Sequence, residues 1–259
     1  MDLNRNANIP SGYRNLRYLS SFLPVSVKLR ILLPVIFVLL EPISIKADNA
    51  NNNLPSDLIG KGWQEVVFED KVSNGYSSCG EDCIRVVSQS SVSMVGRRVK
   101  KALTSTSVLS WDWKILKPVS LSDITLKGSD DRALALYITF PYDPDTASLG
   151  ERILRPMVEL IEGENAAGRM LSYVWAGHGR PGDLYRSPFH GAANVMIVKR
   201  NSSDPVGKWL HEKVNIVEDY ERAFDSKPRE ILELLIGADT DDLMNSSVGL
   251  VRNLNISAE

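Results

Sequence analysis

A chain of 259 residues, 43% hydrophobic and 24% charged, has the composition of a folded protein rather than a disordered one, and it is long enough for one large domain or two small ones. Its formal charge of −2 offers no basic footprint of the kind nucleic acid requires. Six of the 30 basic residues but only two of the 32 acidic ones fall in residues 1–47, so the remainder carries 24 basic against 30 acidic residues and, at net −6, disfavours polyanions and anionic membranes.

Residues 1–47 read as an export segment. A basic region ending in Lys28 and Arg30 precedes the apolar run ILLPVIFVLL at 31–40, which is too short to span a bilayer and is interrupted by Glu41 and Pro42. Cleavage after Ala47 would leave a periplasmic or secreted protein; a retained anchor is the alternative, and the one route to a membrane. Residues 48–59 then form a polar linker, DNANNNLPSD and the residues after it, and residues 60–259 the mature domain. Cys79 and Cys83, in SSCGEDC, predict a local disulfide in an oxidising compartment. Their CxxxC spacing, with no His nearby, argues against a redox pair or half a metal site.

Strand patterns follow. Residues 62–70, 83–89 and 90–95 read as strands, and the basic run RRVKK at 97–101 as a charged edge. In residues 109–115 the period of two places Leu109, Trp111, Trp113 and Ile115 on one face, with Ser110, Asp112 and Lys114 on the other. The shared face favours burial of the two Trp rings over their display, and turns Asp112 outward. Residues 132–140 alternate likewise, with Leu134, Leu136, Ile138 and Phe140 opposite Ala133, Ala135, Tyr137 and Thr139. Between these strands, KPVSLSDITLKGSDD is too long for a hairpin turn.

Ser148 and Glu151 match a capping box, and the apolar spacing after them predicts a helix over 151–162, packed on the strands and ended by Gly163. Strands resume at 170–176 and 194–199, separated by a Gly- and Pro-rich segment holding His178, Asp183, Tyr185, Arg186 and His190. Residues 208–215 form another strand. Asn215 and Glu218 cap a short helix to Phe224, and strands at 233–238 and 248–256 flank the acidic turn ADTDD. Roughly nine strands with two short helices specify a mainly β fold, an antiparallel β-sandwich of jelly-roll type.

Several segments together resemble the bacterial family called domain of unknown function 3047: WDWK at 111–114, SDDR and LYITF within 129–140, SYVWA at 172–176, MIVKR at 196–200, VNIVEDYERAF at 214–224 and GADTDD at 237–242. The resemblance covers roughly residues 60–256. It implies a fold similar to galactose-binding-like jelly rolls of carbohydrate-binding modules and an exported bacterial context, but no reaction. The Cys pair and the segment between His178 and His190 lie outside the shared pattern.

Sugar recognition needs aromatic faces together with groups that take hydroxyls. The candidate ligand-binding residues are Asp112, Asp130, Asp131, Arg132, Tyr137 and Trp175. Asp130 and Asp131 are either loop-capping carboxylates or calcium ligands, and the same choice applies to Asp239, Asp241 and Asp242. Neither run has EF-hand spacing, and no cofactor is expected; structural calcium, by analogy with other jelly rolls, is the one alternative. A hydrolase or lyase would need a carboxylate pair, for which Asp130, Asp131 and Glu212 are available. His178, Asp183 and His190 offer a zinc or acid–base set without an HExxH motif. GxSxG and P-loop patterns are missing. The expected function is therefore non-catalytic binding of carbohydrate, such as a cell-envelope glycan. A carbohydrate-active enzyme on the same fold and a structural envelope protein making protein contacts are the alternatives.

Overall fold

The computed structural model describes residues 54–120, 122–164 and 166–258, so the expected export segment lies outside the described residues. The first elements are α1 (Ser56–Gly60), β1 (Gln64–Val67), β2 (Gly75–Gly80), β3 (Cys83–Gln89), β4 (Val92–Ala102), β5 (Ser107–Lys117) and β6 (Arg132–Pro141). They are followed by α2 (Leu149–Glu162), β7 (Ala167–Ala176), β8 (Leu184–Ser187), β9 (Gly191–Arg200), β10 (Leu210–Asn215), α3 (Ile216–Phe224), β11 (Glu230–Asp239) and β12 (Ser246–Ala258). Two sheets form a β-sandwich, one in the order β1-β4-β11-β6-β7-β9-β8 and the other β10-β5-β12-β3-β2. Among the described residues no helix is long and apolar enough to cross a membrane.

The core between the sheets is built by the alternation seen in the sequence. Leu109, Trp111, Trp113 and Ile115 of β5 meet Leu134, Leu136, Ile138 and Phe140 of β6. Trp111 and Trp113 stand edge to face with ring centroids 5.5 Å apart, and Trp113 meets Trp175 at 5.4 Å in the same manner. Cys79 and Cys83 are joined across the turn from β2 to β3, as their spacing predicts.

Four departures from expectation bear on the packing. α1 occupies part of the stretch read as linker, and Leu54 and Leu58 enter the core, so packed structure begins ahead of residue 60. The sandwich is not wholly antiparallel, because β9 pairs with β7 in parallel. A parallel neighbour needs a crossover; the Gly- and Pro-rich segment after β7 supplies it by running out to β8 at the sheet edge before β9 returns between the two. Ala133 joins the inter-sheet core rather than the opposite face, because the β6–β7 register shifts between Arg132 and Leu134.

The fourth departure is α2. Its capping box is present, with the Ser148 hydroxyl accepting from Glu151 N–H and the Glu151 carboxylate accepting from Ser148 N–H. Yet the helix does not pack its apolar stripe on the strands. Leu149, Ile153, Met157 and Leu160 face outward, Leu160 being 86% exposed. Charged residues face the body instead: Arg155 donates to the carbonyls of Glu164 and Ala166, and Glu151 pairs with Arg169 at 2.8 Å.

Candidate functional site

The outer face of the seven-stranded sheet carries a second apolar layer, in which Ala135, Tyr137, Val174, Met196 and Leu235 are buried. The long connection from β5 to β6 helps cover it, since Ile124 packs into the same layer. This connection delivers Asp130 and Asp131 to the start of β6. The β6–β11 pairing sets Arg132 opposite Asp239, so the acidic turn after β11 meets the acidic loop before β6.

Beside this junction lies a cavity of about 130 Å³. Met94 and Met196 give it apolar surface, and Asp130, Arg132, Tyr137 and His190 give it polar groups. Arg132 is the hub. It donates to Asp130 Oδ2 at 3.0 Å, to Asp239 Oδ2 at 2.9 Å and to the Tyr137 hydroxyl at 3.2 Å. Asp130 is only 2% exposed, and its Oδ1 has no hydrogen-bond partner among the described residues; the same holds for Asp239 Oδ1. Buried acceptors left without a donor are costly, and two of them on the carboxylates of one arginine set this corner apart from the isolated unpartnered atoms of Trp111, Thr139 and Ser247.

Asp131 is fully buried and lies behind the rim. Its Oδ1 accepts from the Asp242 N–H at 3.1 Å and its Oδ2 from the Asn245 amide at 2.8 Å, so it ties the acidic turn down. Asp241 bonds Lys71, which comes from the loop after β1.

The electrostatics follow from this packing. Burial pushes the Asp130 carboxyl up to about 6, against the opposing pull of Arg132 and with help from nearby Asp242. Burial also raises Asp239 well above the ordinary range, with Arg132 opposing and the abutting Asp241 adding to the rise. Burial raises Asp131 as well, although the Asn245 amide pulls it down. For Asp241 burial is outweighed by the bonds to Asp239 and Lys71, and its carboxyl lies below the usual value. His190 is held down at about 4, first by burial and then by Arg132 and Lys127, so its imidazole is neutral at pH 7.

Of the residues singled out from the sequence, Asp130, Arg132 and Tyr137 meet at the cavity and Asp131 supports it. Asp112 belongs elsewhere. It lies on the outer face of the other sheet, bonded to His211 Nδ1 at 2.8 Å, Asn253 Nδ2 at 2.7 Å and Arg252 Nε at 3.3 Å. Trp175 is a correction. It is 1% exposed in the inter-sheet core, and its indole N–H donates to the Asn201 carbonyl, because Leu171, Tyr173 and Trp175 form the inward side of β7. Among the described residues Trp209 is the one Trp that is not buried; it is half-buried, and Arg252 and Lys114 sit over its ring at 4.0 and 4.6 Å. Glu212 does not join the aspartates; it is buried on β10, bonded to Trp113 Nε1 at 3.2 Å and Arg200 Nε at 2.6 Å.

The metal readings also change. Among the described residues the group of acids, His and Cys close enough to share an ion is Asp131, Asp239 and Asp241. Asp131 thus stands where the sequence reading had placed Asp242. His178, Asp183 and His190 form no such group, because the turn at Asp183 bonds Arg180 N–H and the Tyr185 hydroxyl while His190 looks into the cavity. Lys71, Asn245 and the two methionines carried no local signal in the sequence; only strand pairing brings them here.

Among curated proteins no sequence matches the chain. A meso-active, thermo-stable cellulase derived from the Cel12A cellulase of Rhodothermus marinus aligns over 77% of this chain and 93% of its own, with 9% identity and a TM-score of 0.43. The xyloglucanase domain of NopAA from Sinorhizobium fredii, solved with cellobiose, aligns over 77% and 95% with 8% identity and a TM-score of 0.41. TmCBM61, solved with β-1,4-galactotriose, aligns over 81% and 100% with 9% identity and a TM-score of 0.33. At these scores the likenesses carry no argument about what this chain binds. In sequence, residues 61–255 match the family described as protein of unknown function DUF3047, and the chain belongs to that family.

Proposed function

We propose that the domain is an exported, non-catalytic binding module that takes the end of a glycan, such as one of the cell envelope, into the cavity at Asp130 and Arg132. The observation that carries this reading is that Asp130, a lining residue of the cavity, keeps a buried Oδ1 with no hydrogen-bond partner among the described residues. A sugar hydroxyl is a donor of the size and kind it lacks. Arg132 and Tyr137 supply groups for neighbouring hydroxyls, while Met94 and Met196 suit the C–H face of a ring. The cavity is far smaller than the several hundred Å³ typical of sites for drug-sized ligands. Recognition therefore works on one terminal residue rather than along a stacking platform. The Cys79–Cys83 disulfide fits an oxidising compartment such as the periplasm or the cell exterior.

Retention of the folded chain on a glycan array, followed by affinity electrophoresis on the polysaccharides that score, tests the reading. Asp130→Asn is expected to weaken retention at least tenfold, whereas Asp112→Asn on the other sheet leaves it unchanged. Absence of retention of wild type on every glycan, or equal retention by Asp130→Asn, removes the proposal. Release of reducing sugar from a retained polysaccharide would move the domain into the class of carbohydrate-active enzymes.

A further inference from the structure

Next to the sugar-sized cavity, the two acidic runs create a problem that neither the fold nor the glycan reading resolves. One carboxylate oxygen from each of Asp131, Asp239 and Asp241 lies within 4.8 Å of the other two. Asp239 is more than nine-tenths buried; Arg132 occupies its Oδ2, and its Oδ1 has no donor. The Asp239 carboxyl abuts that of Asp241. Carboxylates this close need positive charge among them, and beside Arg132 on Asp239 and Lys71 on Asp241 a proton or a metal ion can supply it. A shared proton serves two carboxylates, and here three converge.

We propose that Asp131, Asp239 and Asp241 form a binding site for a hard divalent cation, calcium by preference. The charge balance supports it. Asp130, Asp131, Asp239, Asp241 and Asp242 crowd the corner, while among the described residues Arg132 and Lys71 are the cationic side chains bonded to it. Five carboxylates against two cations leave room for a doubly charged ion without overcompensation.

The donor set fixes the class of ion. All three candidate ligands are carboxylate oxygens, with neither His nor Cys in the group, which selects hard cations over zinc or copper. Magnesium keeps most of its water and usually takes one or two carboxylates, whereas calcium accepts several in flexible geometry. The orientation of the ligands is already set. Backbone N–H groups of Asp242 and Leu243 and the Asn245 amide hold the Asp131 carboxylate, and Arg132 holds Asp239. Asp239 and Asp241 border the cavity, which gives the ion a way in and a place for its water ligands. The ion would fasten the loop before β6 to the turn after β11, two segments otherwise joined only by side-chain bonds and the ends of two strands.

The proposal stands apart from the glycan reading and is tested without any sugar. The full chain, stripped with a chelator and dialysed, is titrated with calcium chloride in a calorimeter, with magnesium chloride in a parallel run. One calcium per chain is expected, at an affinity at least tenfold above that for magnesium, together with a saturable rise in unfolding temperature that sodium chloride of equal ionic strength does not reproduce. Asp241 is only half-buried, so Asp241→Asn should fold; it is expected to weaken calcium binding at least tenfold, while Asp112→Asn binds as wild type does. Absence of saturable binding of calcium to wild type at several times the roughly 0.1–1 mM range of extracellular calcium modules overturns the proposal, and leaves a shared proton as the link between Asp239 and Asp241. Unchanged affinity in Asp241→Asn overturns it as well, and so does tighter binding of magnesium than of calcium. If Asp241→Asn does not fold, the stoichiometry and selectivity of wild type decide the matter.

Discussion

The two outer faces of the sandwich are both crowded with charge, and they differ in how that charge is met. On the five-stranded sheet Asp112 receives bonds from His211, Arg252 and Asn253, and Arg252 also covers Trp209; these partners are themselves solvent-accessible. On the seven-stranded sheet Asp130 and Asp239 share one half-buried guanidinium, and each keeps an oxygen without a donor. Density of charged residues therefore does not identify a site in this fold. What separates the faces is unmet hydrogen-bonding and charge among buried groups.

This contrast can be broken most directly at Arg132. Arg132→Met removes the cation common to two buried carboxylates and is expected to cost about 3–5 kcal/mol in urea unfolding; a loss under about 1 kcal/mol would mean that the acids neutralise themselves and that the two faces differ little. A second test uses pH. His190 titrates near 4 in the fold but near about 6.5 when unfolded, so below that upper value the unfolded chain takes up a proton that the folded chain refuses. Relative to His190→Gln, wild type is expected to lose about 2.5 kcal/mol of stability as the pH falls from about 6.5 to about 4. The neighbouring aspartates titrate in both proteins and cancel in the difference. Parallel pH–stability curves would show that His190 is open to water. The smallest effect is expected on the other sheet, where Asp112→Asn should change stability by less than about 1 kcal/mol, as for other ion pairs with exposed partners; a larger loss would remove the distinction between the faces.

The sequence makes the faces of β5 and β6 legible because a period of two in Leu109–Ile115 and Leu134–Phe140 leaves one arrangement that buries the apolar set. The caps of α2 and α3 are legible too: Ser148 bonds Glu151 N–H, and Asn215 bonds the N–H groups of Val217 and Glu218. The orientation of α2 is not, since its apolar spacing predicts burial while Arg155 and Glu151 make the bonds that decide which side faces inward. Trp175 misleads for a related reason. A Trp in a strand looks equally available for stacking or for packing until the partner of each face is known. The acidic corner is beyond local reading because Asp131 and Asp239 are far apart in sequence and meet only through the pairing of Arg132 with Asp239. Each run taken alone looks like an ordinary turn.

The place of β12 in its sheet bears on how the chain reaches this state. It lies between β5 and β3, and until it docks those two strands have no bond to one another in that sheet. The five-stranded layer must therefore wait as two fragments, β10-β5 and β3-β2, for a strand that comes after every other in the chain. Such late, distant closure is slow. Its consequence is that the five-stranded layer is completed only when β12 arrives, so truncating β12 would leave that layer as two separate pieces.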